Sequence, residues 1–154
     1  MLTIETVENI KKGSWITFYN GIYAMILGIL NIALFRYILK MDFRTIDVVQ
    51  QVFSKYNPAL NFMFVKLVIL KGIFIFTVGI AIVYLSNYII KKKDKAAWII
   101  LFLIGIIFWP ALLAIEVLNK NLYTGIAVFI GWMTFIIGMI IPMKYYLKKD
   151  YGEY

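Results

Sequence analysis

The chain contains no histidine and no cysteine among its 154 residues. Without histidine it cannot ligate a haem through paired imidazoles, build an imidazole-based zinc or di-iron site, or use histidine as an acid-base catalyst. Without cysteine it cannot act as a thiol oxidoreductase, carry a disulfide or be palmitoylated. No glycine-rich phosphate-binding loop precedes a helix either. The sequence therefore offers no cofactor or metal site and no recognisable catalytic motif, which favours a protein that is not an enzyme and leaves an enzyme as the weaker alternative.

Charged residues are scarce in a patterned way, because four long stretches contain none. Residues 14–35, 72–90, 96–115 and 121–143 lack Asp, Glu, Lys and Arg, and the whole chain is 63% hydrophobic. A helix rises about 1.5 Å per residue, so about 20 residues cross a hydrocarbon core about 30 Å thick. The predicted spans, which extend these stretches by adjoining residues, are about 14–35, 62–90, 96–117 and 121–144. These predict an all-α integral membrane protein, a four-helix transmembrane bundle that forms a single domain over 1–154.

Positively charged residues predict the orientation of that bundle. In a soluble protein a net charge of +8 would indicate nucleic acid binding, but these cations lie in short segments that flank the spans. We therefore expect no nucleic-acid partner. The tight turn over 91–95 carries four lysines, and positive charge next to a span strongly resists translocation. We predict a multi-pass protein of the cell membrane with both termini in the cytoplasm.

The first connection, residues 36–71, is much longer than the others and has helical periodicity. Apolar residues recur in it at helical spacing: Ile46, Val49, Phe53 and Tyr56. Pro58 disfavours helical geometry in the residue before it, so it should end this helix. We predict a short amphipathic helix over about 45–56 that lies on the outer surface or covers the bundle as a lid. Span two should then begin soon after Pro58.

Six charged residues fall at the outer boundary of the predicted spans: Arg36, Lys40, Lys66, Lys71, Lys120 and Glu116. Lys71 and Glu116 come closest to being buried, and they lie near the outer ends of spans two and three. The interpretation we favour is an interfacial ion pair, or separate extension of these side chains to the boundary water. The alternative is a cationic vestibule, in which the five cations surround Glu116 and hold a lipid phosphate or another anionic ligand.

Small residues form stripes on the predicted spans, where they would let helix backbones approach closely. Span one carries Gly21, Ala24 and Gly28, and span four carries Ala127, Gly131, Thr134 and Gly138. We expect most of these stripes to pack within one chain, while one stripe remains available for a second subunit. The expected partners are therefore membrane lipids, together with a second copy of the chain or another membrane protein.

Three functions remain open from the sequence. The leading hypothesis is a non-enzymatic accessory or scaffold bundle that contacts lipid at its outer basic residues. The second is a small transporter or channel with a path between spans near Pro110. That path would be lined by Asn20, Asn31, Thr77 and Thr134. The third and weakest is an enzyme that modifies lipid, whose acid-base groups would be Glu116, Asp42 and Asp47.

Overall fold

The computed structural model describes residues 4–45 and 50–147, and seven helices lie in this described part. They are α1 Ile4–Ala33, α2 Phe35–Thr45, α3 Gln50–Tyr56, α4 Pro58–Lys92, α5 Lys95–Leu118, α6 Leu122–Ile140 and α7 Met143–Leu147. α1, α4, α5 and α6 are long and apolar enough to cross a membrane. The predicted all-α four-helix bundle is confirmed, and the chain is a small multi-pass membrane protein.

The four long helices form a ring in which α1 packs beside α4 and α6, and α5 closes the ring between the same two helices. Tight turns join α4 to α5 and α5 to α6, so these pairs run antiparallel. Polar side chains cap the helices that follow the turns. The Asp94 carboxylate accepts a hydrogen bond from the backbone N–H of Ala97 at 2.8 Å, and the Asn121 side chain accepts one from Thr124 at 3.5 Å.

Glycines bring α1 and α4 into backbone contact. A Cβ atom placed on Gly28 would lie 2.8 Å from the carbonyl oxygen of Gly72, and one placed on Gly21 would lie 3.0 Å from that of Gly79. No larger residue fits at these positions unless the helices separate. Ala24 lies between the two α1 glycines and is fully buried. Packing this close replaces the hydrophobic effect that lipid cannot supply between helices.

The small residues of α6 face α1 and α5 of the same chain. The indole of Trp109 covers Gly131 so closely that an added Cβ would come within 2.2 Å of the ring. Gly138 packs against α1, where an added Cβ would lie 2.8 Å from a Thr17 methyl group. The carbonyl oxygen of Ala127 accepts a hydrogen bond from the Tyr23 hydroxyl of α1 at 2.9 Å.

A second, smaller core attaches α2 and α3 to the beginning of α4. Ile38, Leu39 and Phe43 of α2 are buried together with Val68 of α4. The Phe43 ring also packs against Phe53 of α3, with ring centroids 4.9 Å apart. We call this end of the molecule, which also includes the α5–α6 turn, the α2 end. The opposite end, with the α4–α5 turn and α7, is the terminal end.

The helix boundaries differ from the predicted ones at several places. The helix predicted over 45–56 corresponds to α3 from Gln50, Thr45 is instead the last residue of α2, and residues 46–49 lie outside the described part. α2 itself was not predicted. α4 begins at Pro58 with Asn57 as its cap, and its 35 residues make it about 52 Å long, longer than a hydrocarbon core about 30 Å thick. The extra turns at its beginning are those that α2 and α3 cover.

Candidate functional site

A buried ion pair lies at the α2 end of the bundle. The Lys71 ammonium of α4 donates to one carboxylate oxygen of Glu116, and the Thr124 hydroxyl of α6 donates to the other. The Glu116 side chain is 4% exposed, and that of Lys71 is 18% exposed. Glu116 of α5 is therefore joined to α4 and to α6 by two charge-assisted hydrogen bonds. These bonds lower the free-energy cost of burying its charge.

Asp42 brings a second carboxyl group into the electrostatic field of this pair. Burial raises the pKa of Asp42, the Lys71 ammonium lowers it, and the Glu116 carboxylate raises it again. Burial is the largest of these effects, and together with the Glu116 carboxylate it outweighs the Lys71 ammonium, so the pKa of Asp42 lies above its ordinary value. The structure in this way brings together two of the three acid-base groups proposed for a lipid-modifying enzyme, while Asp47 lies outside the described residues.

The other cations of the predicted vestibule lie in different surroundings. The Arg36 guanidinium lies over the ring of Phe35 at 5.7 Å, and the Lys66 ammonium lies over that of Phe62 at 4.4 Å. Lys40 is exposed on α2. Lys71 is the member of the five predicted cations whose ammonium group contacts the Glu116 carboxylate in the described part of the chain.

Lys120 lies in the α5–α6 turn, where two neighbouring cavities meet. One, of about 380 Å³, is a groove between α5 and α6 with Glu116 and Lys120 at one end and largely apolar walls. The other, of about 300 Å³, is lined by Met41, Arg44, Lys120, Asn121, Leu122 and Tyr123. Three residues, 120–122, line both. Arg44 was not among the site residues predicted from the sequence. It lies in the last turn of α2 and lines the second of these cavities.

Asn20, in the middle of the bundle, holds three helices together. Its side-chain NH₂ donates to the carbonyl oxygen of Gly131 at 2.7 Å and to the Thr134 hydroxyl at 2.8 Å, both on α6. Its side-chain oxygen accepts a hydrogen bond from the indole N–H of Trp109 on α5 at 3.2 Å. Both donors and the oxygen of this amide are therefore used within the protein.

The remaining residues suggested for a transport path do not join Asn20. The Asn31 amide donates to the carbonyl oxygen of Leu27, one turn back on α1, at 3.0 Å. The Thr77 hydroxyl donates in the same manner to Ile73 on α4, at 2.9 Å, and this residue is exposed on the outside of the bundle. Pro110 lies within α5, which remains helical on both sides of it. The structure thus does not bring Asn20, Asn31 and Thr77 together along one path.

Thr124 is the partner of Glu116 that the sequence analysis missed, and Asp42, although named there as an acid-base candidate, was placed in the loop rather than beside the ion pair. For Asp42 a signal was present, because it follows Ile38 by four residues and Leu39 by three, and so shares a helical face with the buried residues of α2. For Thr124 the pattern contained none, since its contact with Glu116 depends on how α6 is rotated. Within 4–45 and 50–147 no three Asp or Glu residues are grouped so as to hold a metal ion.

Comparisons of the chain with profiles of known protein families, with curated proteins and with solved structures find no match.

Proposed function

We propose that the chain is a non-enzymatic membrane bundle that serves as an accessory or scaffold subunit and contacts lipid at its α2 end. The observation that carries this proposal is the hydrogen bonding of Asn20. Its side-chain amide is buried, and all three of its hydrogen bonds are made to residues of α5 and α6. A polar group used in this way holds helices together, as interhelical hydrogen bonds do in membrane proteins. The Asn20 amide itself therefore keeps no donor free for a passing substrate.

The ion pair supports the same proposal from the α2 end. Ion-coupled transporters use ionisable groups that face a water-filled cavity within the membrane. Glu116 is instead buried against Lys71 and Thr124, with both of its carboxylate oxygens engaged. Such a cluster fixes the relative positions of α4, α5 and α6, which is what a rigid scaffold requires.

Water accessibility in the middle of the bundle tests the scaffold against the transporter. Ala24 is fully buried, so Ala24→Cys should not react with a membrane-impermeant thiol reagent in native membranes. Tyr56→Cys is the control, because Tyr56 is 82% exposed and its replacement should react readily. The native chain has no cysteine, so the background is zero. Reaction of Ala24→Cys at a rate near that of the control would show a water-filled path and replace the scaffold with a transporter.

We propose further that the bundle lies in the cell membrane with both termini in the cytoplasm, which places the α2 end outside. The support is the four lysines of the 91–95 turn. An impermeant thiol reagent should label Tyr56→Cys on intact cells, and Lys92→Cys after the cells are opened. Labelling of Lys92→Cys on intact cells would invert the orientation. Purification in mild detergent, with identification of the protein that stays bound, would show whether the partner is a second copy or another subunit.

A further inference from the structure

The two cavities at the α5–α6 turn differ in chemistry although they share three residues. The smaller has two cationic side chains in its lining, Arg44 of α2 and Lys120 of the turn. The larger continues from Lys120 along α5 and α6 between apolar side chains, among them Leu113, Ile126 and Phe129. A charged compartment thus leads directly into an apolar one.

The charges around this double cavity are not balanced. Among the described residues neither Arg44 nor Lys120 forms an ion pair. The nearest carboxylate in the lining is Glu116, and it is already bound to Lys71 and Thr124. Both cations are exposed and available to an anion. An arginine fork and a lysine ammonium together suit a phosphate group.

We propose that this double cavity binds one anionic glycerophospholipid, with its phosphate between Arg44 and Lys120 and one acyl chain in the groove between α5 and α6. The proposal rests on the lipid contact proposed above and gives it a location. A soluble phosphate would match the cations but leave the apolar groove unexplained. A headgroup with a net negative charge is favoured over a zwitterionic one, because the ammonium of the latter would meet two like charges.

The headgroup half of the proposal is tested by charge removal with a matched control. Binding of phosphatidylglycerol and of phosphatidylcholine to the detergent-purified protein is measured by native mass spectrometry. Arg44→Gln with Lys120→Gln should weaken phosphatidylglycerol binding by about tenfold, since each exposed charge pair contributes up to about fivefold and two are removed. The control, Arg36→Gln with Lys66→Gln, removes the same charge from the same end and should change binding by less than about twofold.

The acyl-chain half is tested by filling the groove. A Cβ atom on Gly125 would make one ordinary contact, 3.8 Å from the Glu116 Cβ, and Gly125 lines the groove, so we expect the longer side chain of Gly125→Leu to extend into the groove. This variant should keep the thermal stability of the native protein and lose phosphatidylglycerol binding as strongly as the charge variant. Ala114→Leu, on the exposed side of α5 and outside the groove lining, is the control and should bind normally.

Each outcome decides between the proposal and an alternative. Equal losses from the two charge pairs would show diffuse attraction to surface charge and overturn the site. Loss on charge removal with normal binding by Gly125→Leu would show an anion site without a lipid chain, and inorganic phosphate should then compete. If the native protein shows no preference for phosphatidylglycerol, the lipid contact of the proposed function fails as well. The scaffold role is then judged separately, from the reactivity of Ala24→Cys.

Discussion

The coupling between Lys71 and Glu116 can be measured with a double-mutant cycle. Lys71→Met leaves a carboxylate that is 4% exposed with Thr124 as its remaining partner, and orphaning a buried charge typically costs about 3 kcal/mol or more. Glu116→Gln should cost less, about 1 kcal/mol, because the amide can still bind Thr124. In addition, Lys71 retains 18% side-chain exposure, so it can extend to the boundary water.

The double variant Lys71→Met with Glu116→Gln removes both charges and orphans neither, so it should be more stable than Lys71→Met alone. We expect a coupling energy of about 2 kcal/mol, within the range found for residues in contact. The measurement is the free energy of unfolding in detergent micelles for the four proteins of the cycle.

The exposed pair Glu8 and Lys12 provides the matched control, because these side chains are 2.7 Å apart but 59% and 62% exposed. A cycle with Lys12→Met and Glu8→Gln should give a coupling of about 0.5 kcal/mol or less. The reasoning is refuted if the Lys71 and Glu116 effects add within the same margin. Lys71 would then extend to water at the boundary, and the ion pair would contribute nothing to stability.

Three further predictions concern packing, pH dependence and an unpartnered hydroxyl. Gly131→Leu should lower the melting temperature in detergent, because overpacking against Trp109 costs about 1–3 kcal/mol. The control Ile130→Leu, on the exposed side of α6, should leave the melting temperature nearly unchanged. Equal melting temperatures for the two variants would contradict the close contact at Gly131. The raised pKa of Asp42 means that the folded protein binds this proton more tightly than the unfolded chain, so stability should fall as the pH rises above the ordinary value of 3.8. Asp42→Asn should flatten the fall, and an unchanged pH profile of the melting temperature would refute this assignment. The buried Tyr146 hydroxyl has no hydrogen-bond partner among the described residues, so Tyr146→Phe should keep or raise the melting temperature, and a clear loss would reveal a partner.

Features set by local chemistry were predictable from the sequence. Asn57-Pro58 separates α3 from α4 because proline restricts the residue before it, and because the asparagine side chain accepts a hydrogen bond from Leu60 at 3.2 Å as a helix cap. The four spans follow from length and apolarity alone. Helix α2 was missed although a signal was present, because its apolar residues, among them Ile38 and Phe43, recur at helical spacing between charged residues and form the face that packs against α4.

The part of the candidate site that could be predicted consists of side chains at the same depth in the membrane, because the length of each span sets that depth. Lys71 and Glu116 lie at the same end of antiparallel helices, so their meeting was one of two expected arrangements. The contacts of Glu116 with Thr124, and of Lys120 with the cavity that Arg44 lines, depend on how α6 is rotated and on where α2 ends. Such rotations are set by side-chain packing over many positions, which a hydropathy pattern does not contain.

The amide of Asn20 also constrains the order in which the chain can assemble after synthesis. Its partners on α5 and α6 lie 89 to 114 residues later in the sequence, so α1 is inserted long before any of them exists. Until α6 emerges, that amide is a polar group in lipid without its native acceptors. We therefore expect the bundle to be completed when the α5–α6 hairpin docks onto α1. Ribosome-arrested chains that stop before Gly131 should remain sensitive to membrane proteases that full-length chains resist.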